Sequence, residues 1–249
     1  MQKRVKNIFP IEFVLCSLNT HAMYLFTEND KLNTLVDENY NLLPVFNRFG
    51  IRPGFKDKTV AEVCAENNID RNFFLALINT YNNPEYFPET KLLSFSPDLI
   101  VNYLIKTHEY YEFYFLPRIE QLIDRLISGS SAKSQDLKMI KNFYEKFKQE
   151  FLDHIHDEEK YVFPILTTAT SVSATAKSHS IAEVEHGAME VELNDLKSLL
   201  IKYFSPEYND NDFNELVAAL YQFEKDMVDH SRIEDKILMA RLKALSKSR

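Results

Sequence analysis

Four stretches of the chain repeat apolar residues at alternating steps of three and four, the spacing that draws one stripe along a helix. The first starts at Ser96-Pro97, a capping serine followed by proline at the first helical position. Its stripe runs through Ile100, Leu104, His108, Tyr111, Phe115, Ile119, Leu122 and Leu126. The second, about 134–168, places Ile140, Tyr144, Phe147, Phe151, His154, Glu158, Tyr161 and Ile165 on its stripe. The third, about 179–204, has His186, Met189, Leu193, Leu196, Leu200 and Tyr203. The fourth, about 211–246, has Leu216, Leu220, Phe223, Met227, His230, Glu234, Ile237 and Arg241. Polar connections ("SGSSAKS", "TTATSVSATAKS", "SPEYNDND") separate them. Long helices joined in this way predict an all-α fold, an up-down-up-down four-helix bundle over residues 96–247.

Upstream, residues 28–82 predict a small helical module. "KLNTLVDENYNLLPVFNRFGI" reads as one helix ending at Gly50, and "RPGFKD" as a turn. "TVAEVCAENNIDRNFFLALINTY" reads as two short helices with Asp70 as an N-cap. "NNPEYFPETKLLSF" reads as a linker to the bundle, and residues 1–27 as an N-terminal extension with no assigned role.

The exceptions to the apolar pattern carry the chemistry. Every predicted bundle helix puts one histidine into its stripe: His108, His154, His186 and His230. Two add a glutamate one turn later, Glu158 and Glu234, inside the matched stretches "DHIHDEEKYVFPIL" and "DHSRIEDKIL". His108 stands about 20 residues before the end of its helix, and His154 about 20 after the start of the next. His186 and His230 are about 18 and 19 residues from the corresponding ends. With a rise of ~1.5 Å per residue, antiparallel neighbours bring four imidazoles and two carboxylates to one level of the interior. A buried carboxylate without a partner costs several kcal/mol or turns neutral. A cation removes that cost, and histidine and glutamate at i and i+4 reach one centre from one helix face. Nitrogen and oxygen donors without thiolate suit non-haem iron, with manganese and zinc as alternatives. A hydrogen-bonded His/Glu network with no metal is the other reading of the same residues.

Composition narrows the partners. A net charge of −8 and a pI near 5.4 argue against a nucleic acid, which calls for a basic face. No basic stretch is long enough for an anionic membrane surface, and no apolar run reaches the ~20 residues of a span. The opening "MQKRVKNIFPIEFVLCSLNTHA" is broken by Pro10 and Glu12 and makes a poor signal peptide. Cys16 and Cys64 do not form a disulfide framework, so a cytoplasmic location is expected.

"HEYY", "DHIHDEEKYVFPIL", "EVEHGAMEVEL" and "DHSRIEDKIL" resemble the ligand stretches of the hemerythrin-like (HHE cation-binding) domain, over roughly 96–247. "VFNRFGI" followed by "TVAEVCAENNID" resembles the short N-terminal domain of iron-sulfur cluster repair proteins, the repair-of-iron-centres family. That resemblance implies two non-haem irons per chain, held by His108, His154, Glu158, His186, His230 and Glu234. It implies a role in restoring iron-sulfur clusters damaged by nitric oxide or peroxide, with damaged iron-sulfur proteins as partners and a homodimeric state. A metal-binding repair or sensing protein is expected rather than a classical enzyme; the alternative is a hemerythrin-like protein that binds or senses dioxygen or nitric oxide without repair. Two departures stand out. Arg52 to Phe55 holds no cysteine where the family has an adjacent pair, which leaves Cys64 nearby as a small buried hydrophobe. "LISGSSAKS" lacks the further histidine that the family has after its first ligand; Glu112 and His179 are the candidates to replace it. His156 falls off the stripe and is expected in solvent, and His21 is taken as unrelated.

Overall fold

Asparagine side chains decide where the first helices break. The computed structural model describes residues 24–129, 135–167, 186–203 and 208–247, and among these no strand forms. Helices α1 (Leu32–Glu38) and α2 (Leu42–Arg48) replace the single helix expected there. Asn39 takes an extended backbone between them. Its side chain accepts from the Asn41 backbone N–H at 3.1 Å and donates to Asn82 at 3.1 Å. Such local bonds compete with the helical ladder and end it. Beyond α2 the chain turns at Gly50, whose φ of +76° favours glycine. Helix α3 (Val60–Glu66) starts on a capping box between Thr59 and Glu62. Helix α4 (Arg71–Asn82) starts on Asp70, whose carboxylate accepts from the Phe73 N–H at 2.9 Å. The expected linker contains a further short helix, α5 (Glu89–Ser94), pinned by buried Leu92.

The bundle begins with α6 (Pro97–Tyr110), capped by Ser96, and continues through a π-helical turn (Tyr111–Phe115) into α7 (Leu116–Ser128). Helix α8 (Gln135–Tyr161) breaks at Val162 before α9 (Phe163–Thr167). Pro164 accounts for the break, since it lacks the N–H that would continue the ladder. Helix α10 (His186–Ser198) ends in a π turn, Leu199–Tyr203. Helix α11 (Asp210–Ile233), capped by Asn209, runs through a π turn (Glu234–Leu238) into α12 (Met239–Lys247). In cross-section α7 packs on α8, α8 on α10, α10 on α11, and α11 returns to α7.

Each π turn carries one residue more than an α turn and shifts the buried stripe. The expected stripe position Arg241 is therefore replaced by fully buried Leu242, while Ile237 and Leu238 are buried side by side. Arg241 instead donates to the backbone carbonyls of Leu93 and Phe95 behind α5. Tyr203, also expected on the stripe, is 73% exposed on its π turn, and Leu200 is the last buried residue there.

Two apolar cores result. One joins the N-terminal module to the near half of the bundle: Leu32, Phe46, Phe74 and Leu77 share it with Ile100, Leu104, Phe163, Ile237 and Leu242. The other fills the far half with Phe115, Ile119, Leu126, Phe147, Leu196 and Phe223. The module is therefore packed into the bundle rather than tethered to it. Leu77→Ala is expected to cost about 2–5 kcal/mol and to lower one shared thermal transition, followed by circular dichroism. A separate early transition confined to the module would show that the two parts fold independently.

Candidate metal centre

The boundary between the two cores is polar. On the first bundle helix Leu104 belongs to one core and Tyr111 to the other, with His108 between them. On α8 the chain passes from Phe151 and Ile155 to Val162 across His154 and Glu158. On the fourth helix it passes from Met227 to Ile233 and Ile237 across His230 and Glu234. All five polar side chains are buried, the two carboxylates at 2% exposure each. Two of the π turns adjoin this layer: one opens on Glu234 itself, the other on Tyr111, a turn beyond His108.

His108 is the hub. Its Nε2 lies 3.1 Å from Nε2 of His230, 3.6 Å from Oε1 of Glu234 and 3.7 Å from Oε2 of Glu158. His230 Nε2 is 3.0 Å from the same Glu234 oxygen, and His154 Nε2 is 3.6 Å from Oε2 of Glu158. A small cavity of about 10 Å³ sits among His154, Glu158, His230 and Glu234, flanked by Phe151, Ile155, Met189 and Met227. On its outer side His108 is held by Oε1 of Glu159, 3.0 Å from Nδ1, and by the stacked ring of Phe163 at 5.5 Å. Glu159 escaped the sequence reading because it lies off the apolar stripe; its only signal is its place beside Glu158.

The structure places the other candidates as follows. His186 opens α10, and its side chain lies outside the described residues, as do His179 and His21. Glu112 does not join the layer; it faces outward, 3.2 Å from exposed His156. Tyr144 is fully buried and donates to the Leu116 carbonyl at 2.6 Å, a core role. Tyr111 is fully buried and donates to Asp226 at 2.8 Å, while Tyr161 is half-buried.

The donor set fits a cation. Two nitrogens each ~2.1 Å from a shared ion stand roughly 3.0–3.4 Å apart, and the two facing Nε2 atoms meet that spacing at 3.1 Å. His108, His230 and Glu234 each present a donor atom within 4.8 Å of the others. Imidazole and carboxylate together suit iron, manganese or zinc. Glu159, 3.0 Å from Nδ1 of His108, is the kind of outer contact that orients an imidazole and sets its tautomer where it ligates a metal.

Fold and site together define a helical bundle with a cation-binding interior. Residues 114–246, over half of the chain, match the family described as Hemerythrin HHE cation binding domain, and the chain belongs to that family. His108 lies just ahead of the matched stretch. The chain is also similar to the iron-sulfur cluster repair protein YtfE of Yersinia pestis (strain Pestoides F) and of Yersinia pseudotuberculosis (serotype O:1b, strain IP 31758). Identity is 26% over 93 residues in each case, 37% of this chain and 42% of the relative. The match thus spans less than half the length of those curated relatives. The family and these relatives imply iron as the cation. Among the described residues no helix is long and apolar enough to cross a membrane.

Burial alone would depress the His108 pKa, but contacts with Glu159 and Glu234 and the charges of Glu234 and Glu158 outweigh it and raise it to about 9. Without a cation His108 is therefore protonated at neutral pH, and binding must expel that proton. The sign for the metal-free fold follows. Stabilisation from charged His108 is fully present below the ordinary value of 6.5 and is lost as pH rises through about 9. Affinity for a divalent cation moves the opposite way and strengthens over that range. Titration calorimetry at pH 7 in two buffers of different ionisation enthalpy is expected to show proton release; equal heats in both buffers would contradict it.

Proposed function

We propose that His108, His154, Glu158, His186, His230 and Glu234 hold two non-haem irons, and that the protein takes part in repairing iron-sulfur clusters damaged by nitrosative or oxidative stress. The observation that carries this reading is the polar layer itself. Five ligand-type side chains from three helix segments meet between two apolar cores, where a cation satisfies them best. The similarity to iron-sulfur cluster repair proteins supports the finer role, as does the two-part order of a module at 28–82 and a bundle at 96–247. Iron held there would supply a metal that can be donated to a damaged cluster or that can bind nitric oxide. The chain's own residues do the rest. Phe151, Ile155, Met189 and Met227 flank the donor atoms with apolar surface, and Glu159 holds the outer nitrogen of His108. Cys64 adds nothing to this chemistry: it is buried, and burial pushes its thiol up to about 11.

A second reading draws on that apolar lining. Phe151, Ile155, Met189 and Met227 flank the imidazoles and carboxylates around a cavity of about 10 Å³, and an apolar flank beside a metal is what a dioxygen or nitric oxide sensor would use. The deciding experiment loads the protein with ferrous iron without oxygen. Iron per chain is then measured, and the protein is mixed with a nitric-oxide-damaged iron-sulfur hydro-lyase. Two irons per chain and recovery of hydro-lyase activity are expected, both lost in E158Q/E234Q. One iron per chain would mean that "LISGSSAKS" leaves the second position incomplete. Full loading without reactivation, but with a reversible spectral change under the gas, would favour the sensor.

A further inference from the structure

Arg48 ends α2 in the N-terminal module, and its guanidinium is buried where the module meets the bundle. Nη2 lies 2.7 Å from both carboxylate oxygens of Asp226 on α11. Nη1 donates to the hydroxyls of Tyr81 and Tyr103, at 3.2 and 3.1 Å. Four tyrosine rings (Tyr81, Tyr103, Tyr110 and Tyr111) surround it at 5.2–5.9 Å from ring centre to guanidinium carbon. Asp226 also accepts from the Tyr111 hydroxyl at 2.8 Å. Tyr111 in turn sets its ring edge-on against His230, with centroids 5.5 Å apart. Asp226 also precedes His230 by one turn of the same helix.

Two physical points give this cluster a meaning beyond adhesion. A buried ion pair is a poor way to glue two apolar surfaces, since well-packed hydrophobic residues of the same volume serve as well or better. What it supplies is fixed geometry: both ends must be in place, and in one orientation. The second point is at His230. A ligating imidazole ordinarily donates its outer N–H to an oxygen that fixes the ring. His108 has Glu159 for this purpose, whereas the outer Nδ1 of His230 has no hydrogen-bond partner among the described residues. The orientation of His230 therefore rests on packing, and Tyr111 is the aromatic ring that meets it outside the polar layer.

We propose that Arg48 is a positioning residue for the metal centre: docked in the bundle, it fixes Asp226 and Tyr111, and through Tyr111 it holds the His230 ring and slows loss of the cation. The inference rests on the metal-binding reading above and deepens it. It makes the N-terminal module, packed on the bundle through the shared core, part of what retains the metal. The coupling is carried by named contacts from one module to the other, and it needs no thiol.

The test uses the full chain, loaded anaerobically with ferrous iron or with cobalt(II). Arg48→Met alone leaves Asp226 charged and buried, so the informative variant is R48M/D226N, which removes both charges. Y111F removes one hydroxyl and keeps the ring. Three quantities are read: the rate of iron transfer to an excess ferrous chelator, the cobalt d–d spectrum, and the metal-free melting curve. Loss of a hydrogen-bonded outer partner of a ligand weakens metal binding about 10–100-fold, and loss of the whole Arg48–Asp226–Tyr111 support is set against the lower end of that scale. R48M/D226N is expected to release iron at least ~10-fold faster, with an altered cobalt spectrum and a single melting transition. Y111F is expected to release it several-fold faster with little change in melting. Wild-type release rates and spectra in both variants would overturn the inference while leaving the metal reading intact. If R48M/D226N does not fold, an unchanged Y111F overturns it alone. A wild-type chain that holds neither metal would remove the metal reading and this inference with it.

Discussion

Everything distinctive in this protein follows from burying two carboxylates and three described imidazoles between two apolar cores. Each core alone is an ordinary helical interior. The layer between them is not, because Glu158 and Glu234 sit at 2% exposure, with imidazoles at 3.0–3.7 Å to share their charge. In a low-dielectric interior a charge needs a counter-charge at contact distance. His108 can supply one while protonated, and a cation supplies more. The same imidazole is placed to serve two states, as counter-ion without a metal and, on the proposed assignment, as ligand with one. That exchange ties fold stability and metal binding to pH in opposite directions.

The layer also explains the irregular backbone around it. A straight α-helix drifts relative to its neighbours, so two ligands on one helix and one on the next do not reach a common point by default. The π turns at Tyr111 and Glu234 and the break at Val162 each adjust the register where a side chain must point inward. The break has a second effect: it turns Phe163 over the face of His108, at 5.5 Å and an interplanar angle of 21°. Irregularity is concentrated at the layer, where the donor atoms must be aimed, although the π turn at Leu199 lies apart from it.

The seam was readable in the sequence because burial imposes a period, and a polar residue on an apolar period is conspicuous. The level of His108, His154 and His230 followed from counting residues to the helix ends, since the rise per residue is nearly constant. What escaped had no period to violate. Glu159 and Asp226 lie off the stripes and matter through their side-chain reach. Arg48 sits in another module, and no local pattern ties residue 48 to residue 226. The displaced Arg241 and Tyr203 show the opposite failure, a strict period carried across π turns that add a residue. Asn39 ended a helix by a side-chain bond that composition alone does not distinguish from a solvated asparagine.

The shared core gives the N-terminal module a role that its cysteine content denies it. With the thiol pushed to about 11, only on the order of one Cys64 in ten thousand is thiolate at neutral pH, so Cys64 has little capacity to bind metal or attack a disulfide. The module's charged contribution to the interior is instead the Arg48 guanidinium, always protonated and geometrically exacting. A thiol would act by forming and breaking bonds at the surface. A buried arginine acts by being present and by fixing the groups it touches. What the module contributes to the bundle interior is thus a fixed charge and geometry at Asp226 and Tyr111, one helical turn from His230 and His108.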